Sequence, residues 1–109
     1  MSDARTERIR ILQSFLAEDP QDQFSRYALA LELIETGQVQ EAVDLLEEVL
    51  RQNAGFLAAY YQLGKAYERC QQPEQAIRTY EKGRLVARGQ RNGKTDNELR
   101  AALDELRDE

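Results

Sequence analysis

Residues 57–80 read LAAYYQLGKAYERCQQPEQAIRTY and carry the clearest structural pattern of the chain. Its apolar residues recur three and four apart on both sides of Pro73, a spacing that predicts two helices with one apolar face each. Pro73 suits the first turn of the second helix, because that turn leaves its N–H groups unbonded and proline has none to lose. A turn this short forces the two helices to run antiparallel. The stretch therefore predicts a helical hairpin.

The hairpin pattern occurs a second time, 34 residues earlier. Sliding the chain by 34 places residues 23–56 over residues 57–90, and small Ala30 then coincides with small Gly64, where two helices must approach closely. The identical pairs are Tyr27 with Tyr61, Leu29 with Leu63, Gln38 with Gln72, Ala42 with Ala76, Glu47 with Glu81 and Gly55 with Gly89. Further stripes of helical spacing flank the two copies, and no alternating pattern predicts a strand. We therefore predict six helices joined by short turns.

The period and its residues resemble the tetratricopeptide repeat. The resemblance rests on Tyr60-x-x-Leu63-Gly64-x-x-Tyr67, followed by Ala76 and Tyr80. The first copy matches less fully, since Arg26 stands where an aromatic residue is usual. The resemblance implies an all-α fold, a right-handed superhelical stack of antiparallel helix pairs (an α-solenoid), with residues 1–109 as a single domain.

We expect four parts within this domain. They are an N-terminal half-repeat helix at 3–19, a first repeat at 23–56, a second repeat at 57–90 and a polar-backed capping helix at 95–108. The first helix carries the apolar stripe Ile9, Leu12, Phe15 and Leu16. Asp22 is predicted to cap the second helix and Gly37 to end it. Thr95 and Glu98 are predicted to form a capping box at the start of the last helix.

Composition excludes several kinds of chemistry. The 109 residues carry a net charge of −5, no His and one Cys, so imidazole catalysis, His metal sites and an intramolecular disulfide are excluded. The longest uncharged stretch, residues 52–64, is too short to span a bilayer, and the start of the chain lacks an apolar signal core. We expect a cytoplasmic, acidic protein without catalytic activity, cofactor, bound metal or membrane contact.

The resemblance also implies where a partner protein would bind. First helices of stacked repeats line a concave face, and the side chains expected on it are Phe24, Tyr27, Leu31, Ala58, Tyr61 and Lys65. Such an apolar strip suits a peptide or helix of a partner, so the function implied is that of a protein-interaction module or scaffold. Two alternatives stay open: the strip is covered by the N-terminal helix, or it is buried in a homodimer whose function is assembly.

A second candidate surface is basic. Its members are Arg78, Lys82, Arg84, Arg88 and Arg91. These residues fall at several angles around a helix, so a solvated helix face is favoured over a patch for nucleic acid, which we do not expect as a partner. Pairing of this basic third with the acidic middle of another copy is a further alternative.

Overall fold

A computed structural model describes residues 3–108 of the chain. The helices are α1 (Asp3–Glu18), α2 (Gln23–Glu35), α3 (Val39–Gln52), α4 (Leu57–Arg69), α5 (Pro73–Gly89) and α6 (Gly93–Arg107). Within these residues each helix packs against the next, α2 also contacts α4, and no strand occurs. The body measures 38 × 29 × 19 Å. The predicted all-α stack of helix pairs is confirmed.

Three of the helices end in the same way. After α2, Gly37 has a φ of +86°, and the N–H of Gln38 reaches back to the carbonyl of Leu33. This is the Schellman arrangement, in which a residue of left-handed conformation lets the chain turn back. Gln71 (φ +59°) and Arg91 (φ +57°) take the same conformation after α4 and α5, although neither is a glycine. The predicted stop at Gly37 is therefore one instance of a repeated turn.

Two predicted helix starts have different outcomes. The Asp22 side chain accepts a hydrogen bond from the N–H of Ser25, so the predicted cap of α2 is confirmed. The capping box at Thr95 is wrong. The cap of α6 is Asn92, whose side chain accepts from the N–H of Thr95, and the helix therefore begins at Gly93 rather than at residue 95.

The core lies where α4 and α5 cross. A Cβ built on Gly64 would stand 2.1 Å from Cε1 of Tyr80, and a Cβ on Gly83 would stand 2.7 Å from Cβ of Tyr60. Both tyrosines are completely or almost completely buried. Glycine at each position therefore lets a large ring fill the crossing, and the close approach predicted at Gly64 is present.

Arg26 occupies the position of Tyr60 one period earlier, and it makes the equivalent contact. The Tyr60 hydroxyl donates to the carbonyl of Ala54 at 2.6 Å, and the Arg26 guanidinium donates to the carbonyl of Pro20. In both cases the acceptor lies six residues upstream, in the turn before the helix. A long side chain ending in a donor is thus sufficient at this position, and an aromatic ring is not required.

The two ends of the stack differ. At the C-terminal end, Leu99, Ala102 and Leu103 are buried, and α6 docks through them against the preceding helices. At the N-terminal end, no residue of α1 is fully buried. Phe15, expected in the inner stripe, is 48% exposed.

Candidate functional site

The first helices of the helix pairs, α2 and α4, lie side by side with α6 and form a groove of about 380 Å³. The groove is lined by Tyr27, Leu57, Ala58, Tyr61, Gln62, Asn92, Thr95, Glu98 and Leu99. Three of the residues predicted on the concave face, Tyr27, Ala58 and Tyr61, are therefore together. The helix α6 was expected only as a cap, whereas it also lines the third side of this groove.

An aromatic cluster stands at one edge of the groove. The ring centroid of Phe56 lies 5.1 Å from that of Tyr27 and 5.8 Å from that of Phe24, both in tilted arrangements. Such tilted pairs are favourable contacts between aromatic rings. Phe24 remains 79% exposed, so α1 does not cover it. Phe56 was not predicted as a site residue, because it precedes α4 in a turn and lies outside every helical stripe.

Tyr27 and Tyr61 are held by neighbouring polar groups. Burial raises the pKa of Tyr27, and a hydrogen bond with the Gln62 side chain offsets part of that rise, so the phenol is neutral at physiological pH. The ammonium group of Lys65 lies 5.5 Å from the centre of the Tyr61 ring, a cation–π contact, and 3.8 Å from a carboxylate oxygen of Glu68. Lys65 is therefore positioned by its neighbours on the same helix.

Leu31 was predicted beside Tyr27 and lies elsewhere. It lines a separate groove between α1 and α2, to which Gln62 also contributes. Leu31 lies one helical turn after Tyr27 on the same face of α2, so the two grooves follow one another along that face, and Gln62 of α4 lines both. The apolar strip that was expected to run along α2 is thus divided between two grooves.

The basic residues of α5 do not form one free surface. Arg84 and Arg88 both donate to Asp96 of α6, at 2.6 and 3.1 Å. The hydrogen bond from Arg84 contributes most to lowering the pKa of Asp96, with Arg88 acting in the same direction. Lys82 lies in another groove with Glu47 and Tyr67. Two of the five predicted cations therefore hold α6 against α5, while Arg78 and Arg91 are exposed.

The groove carries a single charged lining residue, Glu98. No hydrogen bond or ion pair within residues 3–108 engages its carboxylate. Among these residues there is also no group of three Cys, Asp or Glu side chains placed to hold a metal ion. No helix in the described part of the chain has the length and hydropathy needed to cross a membrane. The groove thus combines aromatic surface, amide groups and one carboxylate, which suits it to bind an amphipathic segment.

Comparison with known proteins gives matches of fold and of sequence. A tetratricopeptide repeat domain protein from Salinibacter ruber, solved by NMR, is 39% identical, with 81% of this chain and 89% of that chain covered and a TM-score of 0.76. The TPR2B domain of yeast Sti1, solved as a complex with pHsp70, has a TM-score of 0.85 at 16% identity, with coverage of 92% and 80%. Protein BPP2914 from Bordetella parapertussis has a TM-score of 0.79 at 22% identity, with coverage of 90% and 85%.

The last two likenesses show the fold alone, because their sequence identities are low. No curated protein sequence matches the chain. The family model described as tetratricopeptide repeat matches residues 33–103, which is more than half of the chain. With six helices in antiparallel succession and the repeated hairpin, this match shows that the chain belongs to the tetratricopeptide repeat family.

Proposed function

We propose that the chain binds a partner protein without catalysing a reaction, and that the groove between α2, α4 and α6 takes a segment of that partner. The observation that carries the proposal is the aromatic cluster at the groove's edge, where Phe24 is 79% exposed beside Tyr27 and Phe56. Exposed aromatic surface beside a preformed groove is typical of interaction sites, since rigid rings supply contact area at a low entropic cost.

The charge of the groove indicates the chemistry of the segment. Glu98 is the only charged residue in the lining, and the nearby cation Lys65 is engaged by Glu68 and by the Tyr61 ring. A lysine or arginine of the partner would pair with the free carboxylate, whereas an acidic segment would be repelled. We therefore expect a segment that carries an apolar or aromatic residue followed within one turn or two by a cation.

The general mode of action agrees with the family, in which helical repeats bind other proteins. The yeast Sti1 domain, solved as a complex with pHsp70, has this fold. Its partner is not transferred to this chain, because 16% identity supports the fold and not the ligand.

A displayed library of random twelve-residue peptides tests the proposal. The wild-type protein is the bait, and Tyr27→Ser/Tyr61→Ser is the counter-bait, with circular dichroism to verify that both are folded. We expect enriched peptides to share an apolar or aromatic residue and a Lys or Arg, and to lose at least about tenfold in affinity for the double variant. Peptides that bind both baits equally would refute the groove as the binding site.

The charge preference has its own control. Glu98→Gln removes the groove carboxylate, and Glu74→Gln removes an exposed carboxylate at the start of α5, outside the groove. Only Glu98→Gln should weaken binding of the enriched peptides and reduce its salt dependence. If both variants bind like the wild type, the partner is not selected by this carboxylate.

A further inference from the structure

A groove of about 680 Å³ lies between α1 and α2 at the N-terminal end of the stack. With the period of 34, α1 corresponds to α3 and α5, the second helices of the two hairpins. The helix α3 packs on α2, and α5 packs on α4. By the same pattern, a helix that docks at this groove would pack on α1 as a first helix packs on a second one.

An ion pair fills the floor of this N-terminal groove. Arg8 donates to Glu32 at 2.7 Å, and Arg5 lies 3.3 Å from the other oxygen of the same carboxylate. One period later, the positions of Arg8 and Glu32 hold Ala42 and Ala66, both buried. Small residues there let helices approach closely, and the ion pair prevents it here. A helix docking at this end must therefore lie above the ion pair, against α1 residues at the edge of the groove such as Ile11.

The side of α1 that borders this N-terminal groove carries a self-complementary seam. Arg8, Ile11, Phe15 and Glu18 are spaced by three, four and three residues, so they form one stripe along the helix. Ile11 is 42% exposed and Phe15 is 48% exposed. No hydrogen bond or ion pair within the described residues engages Glu18. The seam thus has an apolar centre, the cation of Arg8 near one end and a free carboxylate at the other. Arg8 is paired with Glu32 through Nε, and its side chain is 50% exposed, so its guanidinium can also donate to a second carboxylate.

We propose that a second copy of this chain docks on the seam, with the two α1 helices antiparallel about a two-fold axis. In this register residue n lies opposite residue 26 − n, which places Ile11 opposite the partner's Phe15 and Arg8 opposite the partner's Glu18. A two-fold interface requires one surface to complement itself, and this seam does so in both size and charge. A parallel pairing would instead place Arg8 against Arg8 and Glu18 against Glu18.

The antiparallel direction also agrees with the stack itself. Consecutive helices of the chain run antiparallel, so a helix that docks against α1 as a first helix would run antiparallel to it. The α1 of the second copy has this direction in the proposed dimer. The seam uses none of Phe24, Tyr27 and Tyr61, so this dimer differs from one that buries the groove of α2, α4 and α6.

The dimer is expected to be weak. A helix of 16 residues is about 24 Å long, and one pair of such helices buries less than the roughly 1,200 Å² that stable interfaces begin with. Self-association is therefore expected between about 10 µM and 1 mM protein. Sedimentation equilibrium over this range should give a mass that rises from 12.6 kDa toward twice that value.

Single substitutions locate the interface. Phe15→Glu should raise the dimer dissociation constant at least about tenfold, because it removes an apolar contact and adds two carboxylates to the centre. Leu85→Glu, at a residue on α5 that is 67% exposed, is the matched control and should dimerise like the wild type. Tyr27→Ser/Tyr61→Ser should also leave the dimer unchanged. Circular dichroism verifies that each variant is folded.

A charge exchange tests the register. Glu18→Arg places cations opposite one another, and Arg8→Glu places carboxylates opposite one another, so each variant alone should be monomeric. Mixed in equal amounts, the two variants should form a heterodimer, since both opposed pairs are then of opposite charge. Glu18→Arg does not disturb the ion pair with Glu32, and its cation at a helix C-terminus is favourable for folding.

Several results would overturn the proposal. A wild-type mass of 12.6 kDa at every concentration would exclude the dimer. If the dimer persists in both Phe15→Glu and Glu18→Arg, its interface lies outside the seam. If Tyr27→Ser/Tyr61→Ser abolishes the dimer, the interface is the groove between α2, α4 and α6. Failure of the mixed variants to associate would refute the antiparallel register. If the protein is a monomer and binds an amphipathic helix of another protein on α1, the seam is a site for that protein and not for a second copy of this chain.

Discussion

A methyl group added at Gly64 tests how closely α4 and α5 approach. The new Cβ would lie 2.1 Å from Cε1, 2.5 Å from Cζ and 2.7 Å from Cδ1 of the Tyr80 ring. Carbon atoms in contact are normally about 3.5–4.0 Å apart, so the ring or the helices must shift by more than about 1 Å. Tyr80 has little freedom to move, because it is fully buried and its hydroxyl donates to Glu68.

Two opposing effects set the magnitude. Overpacking a well-packed core costs about 1–3 kcal/mol, and a shift this large through a buried ring places Gly64→Ala near the upper end. Replacing glycine by alanine inside a helix recovers about 1 kcal/mol. The net loss in the free energy of unfolding is therefore about 2 kcal/mol, which corresponds to a fall in Tm of roughly 10 °C for a domain of this size.

Urea unfolding followed by circular dichroism measures the loss, and Gly89→Ala is its control. Nothing lies within 4 Å of a Cβ built on Gly89, which ends α5. The same substitution there should leave the free energy of unfolding unchanged or raise it by up to about 1 kcal/mol. Equal losses at Gly64 and Gly89 would refute the close approach of the two helices.

A double-mutant cycle separates the steric contact from other effects. The first repeat has Ala30 and Leu46 where the second has Gly64 and Tyr80, so Gly64→Ala/Tyr80→Leu recreates a pair that the chain already uses. In the Tyr80→Leu background the overpacking is absent, so Gly64→Ala should raise the free energy of unfolding by up to about 1 kcal/mol, which gives a coupling free energy of up to about 3 kcal/mol. Additive losses would show that Tyr80 is not the obstacle.

Four further predictions follow from packing, capping and charge. Leu99→Ala should lower the free energy of unfolding by about 2–5 kcal/mol, whereas Leu85→Ala should change it by less than about 0.5 kcal/mol. Similar losses for the two variants in urea unfolding would contradict the assignment of Leu99 to the core. Asn92→Ala should lower the free energy of unfolding by about 0.5–2 kcal/mol, because it removes the side-chain cap of α6. An unchanged Tm would mean that this cap does not stabilise the fold. Gln71→Gly should raise the free energy of unfolding by about 0.5–1 kcal/mol, because Gln71 adopts a left-handed backbone conformation that favours glycine. A lower free energy of unfolding would indicate that a contact of the Gln71 side chain outweighs this strain. The pKa of Asp96 is lowered in the folded chain by its hydrogen bonds from Arg84 and Arg88, so its stabilising contribution is present above about pH 4 and is lost as the pH falls through the folded pKa. Asp96→Asn should therefore lower the free energy of unfolding most at pH 7, and its effect should shrink as the pH falls below about 4; an effect that does not change with pH would contradict this role.

Much of the fold was predictable because its signals are local and periodic. Pro73, Asp22 and Gly37 mark helix starts and a stop through backbone chemistry that acts within a few residues. The start of α6 was predicted wrongly, because Asn92 and Thr95 are both acceptable caps and only the length of α5 decides between them. With 17 residues, α5 is three longer than α3, and this displaces α6 from the period of 34.

The candidate site was predictable only in part. Tyr27 and Tyr61 were identified by the repeat, since residues one period apart take equivalent places in a stack. Phe56 could not be identified in this way, because it stands in a turn and contacts two residues of another helix. Glu98 was missed because α6 was treated as a cap, although its distance from α4 is close to one period and could have indicated a third wall.

The helices, their order and the family follow from the sequence alone, because helix formation depends on short-range spacing and a repeat of 34 residues aligns equivalent positions. Which apolar residues share a surface depends on tertiary packing. Tyr27 lies in the groove with α4 and α6, whereas Leu31, one turn later on α2, lies in the groove with α1. The packing of α5 against α6 turns two arginines into structural partners of Asp96, and the packing of α1 on α2 leaves Ile11 and Phe15 exposed. These outcomes depend on contacts between distant residues, which no periodic pattern along the chain records.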